Sequence, residues 1–118
     1  MHIELLREIC LSKKGTEETL PFGPDTLVFK VMGKMFALTS MDEPNRCNLK
    51  CDPEYALELR ADYEAIKPGY HMNKQHWNTI TYNLDVPDKL IVELVQHSYD
   101  LVVSSLPKKD QAALLKME

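Results

Sequence analysis

Between Glu18 and Cys51 the spacing of apolar residues drops to two, and this constrains the fold more than any other feature of the chain. Leu27, Phe29 and Val31 alternate with Thr26, Val28 and Lys30, which is the signature of a strand with one face turned to a core. The runs TLVFKVM and MFALTSM flank Gly33-Lys34, and a glycine there tolerates the positive φ that a tight hairpin turn demands. Two antiparallel strands are expected. After the loop Asp42-Glu43-Pro44-Asn45, Cys47, Leu49 and Cys51 alternate with Arg46, Asn48 and Lys50, so this strand has an apolar face and a polar, basic one.

Helical spacing surrounds this strand region. Ile3, Leu6 and Cys10 recur along one face of a first helix, expected over residues 3–13 and ended by Gly15. Asp52-Pro53 is a helix start, because the carboxylate can accept free backbone N–H groups and proline suits the first helical position. That helix runs to Tyr63 and buries Ala56, Leu59 and Tyr63, while Glu54, Glu58 and Asp62 form a solvated acid row. Pro68-Gly69 breaks the chain, and a last strand spans residues 76–82, although neither of its alternating sets is cleanly apolar. Pro87 opens the longest helix, residues 88–104, with Leu90, Ile91, Leu94, Val95, Ser98, Leu101 and Val102 on one stripe; a short final helix begins near Pro107. Few connections are long enough for parallel crossovers. The expected fold class is therefore α+β, a two-layer sandwich of a mainly antiparallel sheet with helices packed on one face, forming a single domain over residues 1–118.

Four segments carry a family resemblance: FKVMGKMFAL from Phe29, KCDPEYALELR from Lys50, PGYHMNKQHWNT from Pro68 and SYDLVVSSLPKK from Ser98. Together they resemble the YjbR/MmcQ family. The third is the most specific, since its mixture of Gly, His, Asn and Trp follows from neither helix nor strand periodicity. The resemblance implies a fold comparable to double-wing DNA-binding domains and to secretion-chaperone-like folds, and it carries no catalytic residue set onto these positions. One departure concerns the turn before the long helix, where Asn83-Leu84-Asp85-Val86 stands in place of a Gly-containing turn.

The formal net charge of -4, from 14 Lys plus Arg against 18 Asp plus Glu, repels phosphate overall, so any nucleic-acid contact must use a local patch. The chain opens Met-His-Ile-Glu without a charged-then-apolar leader, and it has no apolar run of bilayer-spanning length. Its cysteines are the odd set Cys10, Cys47 and Cys51, expected to be reduced in a cytoplasmic protein with no membrane contact.

Two Cys followed by His71 and His76 is zinc-site vocabulary, but on one strand Cys47 and Cys51 would stand about 13 Å apart, too far to share an ion. Neighbouring His97 and Ser98 point different ways on a helix, and the glycines are too scattered to cradle a phosphate. No catalytic residue, metal or cofactor is expected.

The segment from Ala65 to Leu84 contains no Asp or Glu, yet it holds Lys67, His71, Lys74 and His76 with Tyr70, Trp77 and Tyr82 between them. Cations attract phosphates and aromatic rings stack on bases, while Asn73, Gln75 and Asn78 offer amides for hydrogen bonding. The plainer alternative is a loop tied down by its own polar groups, with Trp77 and Tyr82 filling the core. The expected function is a small non-enzymatic protein that contacts DNA weakly and salt-sensitively through Arg46, Lys50, Lys67, His71, Asn73, Lys74, His76 and Trp77. The alternative is a chaperone-like module that holds a protein or peptide partner by strand addition, as a monomer or homodimer.

Overall fold

A computed structural model describes residues 1–117. Helix α1 (Ile3–Leu11) leads into strands β1 (Thr16–Thr19), β2 (Thr26–Val31), β3 (Lys34–Ser40) and β4 (Arg46–Lys50). Helix α2 (Pro53–Asp62), strands β5 (Ile66–Pro68) and β6 (Trp77–Thr81), and helices α3 (Asp88–Ser105) and α4 (Lys108–Leu115) complete the order. The strands form one sheet, β1-β2-β3-β4-β6-β5, in which every pairing is antiparallel. The expected α+β sandwich is thus the observed one.

The hairpin turn lies one residue earlier than the sequence indicates, at Met32-Gly33, because Lys34 already begins β3. Both turn residues have positive φ, 49° and 82°, the pattern of a two-residue loop whose twist matches that of the strands it joins. A bulge after Phe29 then leaves Phe36 without a cross-strand partner, so Phe36 and Ala37 are both buried. Phe36 meets Tyr99 of α3 edge-on, with ring centroids 5.4 Å apart.

The main core lies between the helices and one sheet face, where Leu27, Phe29, Ala37, Cys47, Leu49 and Ile80 meet Leu6, Ala56, Ile91, Val95 and Val102. Full burial of a Leu, Ile or Phe side chain is worth ~1.5–3 kcal/mol. Asp52 caps α2 by accepting from Tyr55 N–H at 3.1 Å, and Glu54, Glu58 and Asp62 lie outside the core on the solvent side, as an acid row requires. In the turn before α3, Asn83 adopts φ 60°. Asparagine is among the few residues that enter this left-handed region at modest cost, so it does here what a glycine would do.

Ser98 has a role that periodicity alone does not disclose. The β3–β4 ladder stops at the pair Ala37–Leu49, and the next pair in register would be Phe36 with Lys50. The fully buried Ser98 hydroxyl enters that gap from α3, donating to Phe36 C=O at 2.6 Å and accepting from Lys50 N–H at 2.9 Å. It replaces a missing backbone bond and locks α3 to two central strands. Ser98→Ala should lower stability by ~1–3 kcal/mol, the cost of leaving a buried donor and acceptor unpaired, read as a shift in the urea midpoint without a change in slope.

Candidate functional site

The sheet face away from the helices holds the chemistry of interest. Residues directly opposite on antiparallel strands share a face, so one row runs Val28, Leu38, Asn48, Thr79, Lys67 across five strands. Arg46 opposite Thr81 and Lys50 opposite Trp77 lie on the same face. Arg46, Asn48 and Lys50 therefore do stand together with the acid-free segment.

Val28, Leu38 and Trp77 form a second, small apolar cluster on this face, with Met35 and Met72 packed against it. Met72 belongs to the 69–76 loop, which folds back over the sheet. Both faces of β6 are consequently buried, which is why its sequence shows no clean alternation.

Three constraints fix the loop. Gly69 passes so close to the sheet that a Cβ there would lie 2.7 Å from Trp77 Cβ and 2.9 Å from Trp77 O. Tyr70 N–H donates to Thr79 Oγ1 at 2.9 Å, the Thr79 hydroxyl donates to Asn48 Oδ1, and Asn48 Nδ2 donates back to Tyr70 C=O at 3.4 Å, closing a ring of bonds. From α2, the Arg60 guanidinium donates to Asn78 Oδ1 at 2.7 Å, to Trp77 C=O at 3.3 Å and to Lys74 C=O.

Pinned in this way, the loop forms one wall of a groove of about 520 Å³. Leu38, Arg46 and Asn48 make its floor, Tyr70, His71 and Met72 one side, and Phe22 and Glu43 contribute from neighbouring loops. Tyr70 and Phe22 are 55% and 64% exposed, unusual for aromatics and appropriate for stacking on a planar guest. Arg46 Cζ lies 5.0 Å from the Tyr70 ring centroid, and the Tyr70 and His71 rings are 4.1 Å apart. His71 reaches this position with φ 59°.

The structure places the candidate residues read from sequence differently. Arg46 and His71 line the groove; Lys50 and Lys67 share its sheet face but stand outside it. Asn73 and Lys74 serve the loop itself: Asn73 Oδ1 accepts from Gln75 and His76 N–H, and Lys74 Nζ donates to Gly69 C=O at 3.0 Å. His76 is half-buried and its carbonyl accepts from Cys51 N–H at 2.8 Å. Trp77 is the clearest correction, because at 6% exposure beneath Met72 it has no face free for a base. Phe22, Glu43 and Arg60 are additions. The aromatic in Pro-Phe-Gly-Pro was a usable signal for Phe22, since a turn-rich loop gives a large apolar side chain little cover.

The cysteines belong to the main core, whereas His71 stands on the opposite face. Among the described residues no group of three or more His, Cys, Asp or Glu is arranged to hold a metal ion. Burial pushes the Cys47 thiol up to about 12 and the Cys51 thiol up to about 11, and it raises Cys10 as well. The three free thiols should react slowly with a thiol reagent at mildly alkaline pH and completely only after denaturation, a difference that absorbance titration measures directly.

An antiparallel sheet with helices on one side and a loop-walled, aromatic and cationic groove on the other defines a compact α+β protein with a ligand-sized surface site. The chain belongs to the YjbR family, whose model matches residues 11–101. It is 39% identical to the uncharacterized protein YbdF of Escherichia coli O157:H7 over 92% of this chain and 89% of that protein. The uncharacterized protein YjbR of Escherichia coli K12 is 33% identical over 99% of this chain and its own full length. A crystal structure of the Deinococcus radiodurans protein DR2400, a DUF419 domain, superposes with a TM-score of 0.88 at 42% identity, covering 95% of this chain and 86% of that one. A Pseudomonas syringae protein superposes at 0.73 and 29% identity, with 86% and 98% covered. No helix among the described residues is long and apolar enough to cross a membrane.

Arg60→Ala should detach the second half of the loop. The expected result is a loss of ~1–3 kcal/mol in stability together with faster amide hydrogen exchange confined to residues 69–77, while exchange in β2 and β3 stays unchanged.

Proposed function

We propose that this protein is a non-enzymatic binding protein that takes a single strand of nucleic acid, DNA in the first instance, along the free face of its sheet. The observation that carries this reading is the groove itself, which two exposed aromatic rings, Phe22 and Tyr70, line together with Arg46, whose guanidinium lies over the Tyr70 ring. Unstacked bases can lie on such rings, and the backbone can follow the cations.

The placement of the side chains favours a single strand over a duplex. A duplex is held chiefly by a row of cations reaching phosphates, but Lys74 is turned to its own loop and Trp77 is covered. What stays available is an aromatic groove with Arg46, and on the same face Lys67 opposite Thr79 and Lys50 two residues along β4 from Asn48. The open sheet face with stacking aromatics is the geometry by which several unrelated modules hold unpaired strands, a likeness of physical arrangement and not of ancestry. A non-enzymatic role agrees with the engagement of two groove side chains, Ser40 and His71, by their own neighbours, which leaves Arg46 as a binding group. Ser40 Oγ accepts from Asp42 N–H at 3.2 Å, and His71 packs on Tyr70.

Anisotropy of a labelled oligothymidylate should report weak, reversible binding with a log-log salt slope of about 2, the value for some three phosphate contacts on a single strand. Tyr70→Ala should weaken it by ~5- to 100-fold, the loss of one stacked base, and Lys67→Glu should lower the slope by about one contact. Lys109→Glu on α4, which contributes no residue to the groove, serves as the control and should leave the stacking-dependent affinity intact. Absence of binding at low salt, or a Tyr70→Ala variant that binds as well as the wild type, sinks the proposal in favour of a protein or peptide partner.

A further inference from the structure

Among the described residues Arg46 is the only arginine lining the groove, and it already holds an anion. Its Nη2 is ion-paired with the Glu43 carboxylate, three residues earlier in the short loop that precedes β4. The two partners are unequal. Arg46 comes from the first position of a paired strand and packs over Tyr70, with its side chain 33% exposed. Glu43 comes from a loop flanked by Asp42 and Pro44, and its side chain is 54% exposed. The guanidinium is thus fixed by the sheet and the aromatic ring, while the carboxylate can leave toward water.

From this asymmetry we infer that Glu43 is a built-in competitor for the ligand. Its carboxylate occupies the place on Arg46 that a phosphate of the bound strand takes, and binding proceeds by exchange of one anion for the other. A phosphodiester oxygen offers the same acceptor geometry to a guanidinium as a carboxylate oxygen does. Exchange needs no new cation and leaves the contact between Arg46 and the Tyr70 ring in place. It also explains how a groove with one available arginine can keep that arginine paired when empty. Glu43 is then a residue that sets affinity, weakening every ligand that depends on Arg46 and none that does not. The competitor role rests on the binding role proposed for the groove, and a set of charge variants separates the two.

Affinity for the labelled oligothymidylate is measured for the wild type, Glu43→Gln, Asp42→Asn and Arg46→Gln, and for the last combined with each of the first two. Asp42→Asn removes the same charge one residue away, and Asp42 forms no ion pair among the described residues, so it measures the general effect of lowering the negative charge. Glu43→Gln should bind about 2- to 5-fold more tightly than the wild type, the strength of an exposed ion pair expressed as an equilibrium ratio. This gain should exceed that of Asp42→Asn, and the excess should vanish when Arg46 is Gln. Because Glu43→Gln removes only one exposed ion pair, its thermal melt should fall within a few degrees of the wild type, which keeps folding out of the comparison.

If the wild type binds but Glu43→Gln is matched by Asp42→Asn, or is weaker than the wild type, the competitor role is overturned and the groove remains the binding site. A gain that persists in the Arg46→Gln background overturns it as well, since the carboxylate would then be acting by general repulsion. If no variant binds, the binding role and the competitor role fall together.

Discussion

Helices cover this sheet on one side only, and the construction of the candidate site depends on that constraint. They bury the face built from Leu27, Phe29, Ala37, Cys47, Leu49 and Ile80, which is where the hydrophobic stabilisation lies. The opposite face still carries Val28, Leu38 and Trp77, too apolar to be left in water. The chain covers them with its own 69–76 loop, and the groove is the space that this cover leaves open beside Arg46 and Asn48.

Covering a sheet with a loop creates a hydrogen-bonding problem, because irregular backbone near a surface must find partners for groups that a helix would satisfy internally. Polar residues of the acid-free segment supply them, together with Asn48 of β4 and Arg60 of α2. Asn48 and Thr79 hold the loop at Tyr70, Asn73 closes a turn, Lys74 reaches Gly69, and Arg60 gathers the carbonyls of Lys74 and Trp77 from α2. Much of the segment's polarity is therefore structural. Tyr70 and His71, displayed at the edge of that network, are what it positions.

Electrostatics act at the same small scale. A protein with net charge -4 cannot draw in a polyanion by its overall field, so what counts is which cations are free at the groove. Arg60 has neutral oxygens as partners, Lys74 is bonded to its own loop, and Arg46 shares Glu43 with the groove. Lys50 and Lys67 complete the sheet face. Such a surface fits a ligand recognised by aromatic contact with a few charges beside it.

The sequence by itself determined the parts that depend on local geometry. Alternation at Leu27 to Val31 and at Cys47 to Cys51 assigned strands and their inner faces, because side chains on a strand alternate whatever the partner. Asp52-Pro53 and Pro87 marked helix starts for equally local reasons, capping and a fixed φ. Absence of Asp and Glu between Ala65 and Leu84 drew attention to the segment that walls the groove. Only the tertiary structure decided which of its residues are displayed and which are consumed. Trp77 is buried because Met72 folds onto it, Lys74 turns inward because Gly69 C=O is in reach, and Phe22 and Glu43 join the groove from loops far away in sequence. The first two outcomes depend on how the 69–77 stretch bends back on itself over the sheet, the last on segments that meet only once the sheet has formed, and no periodicity encodes either.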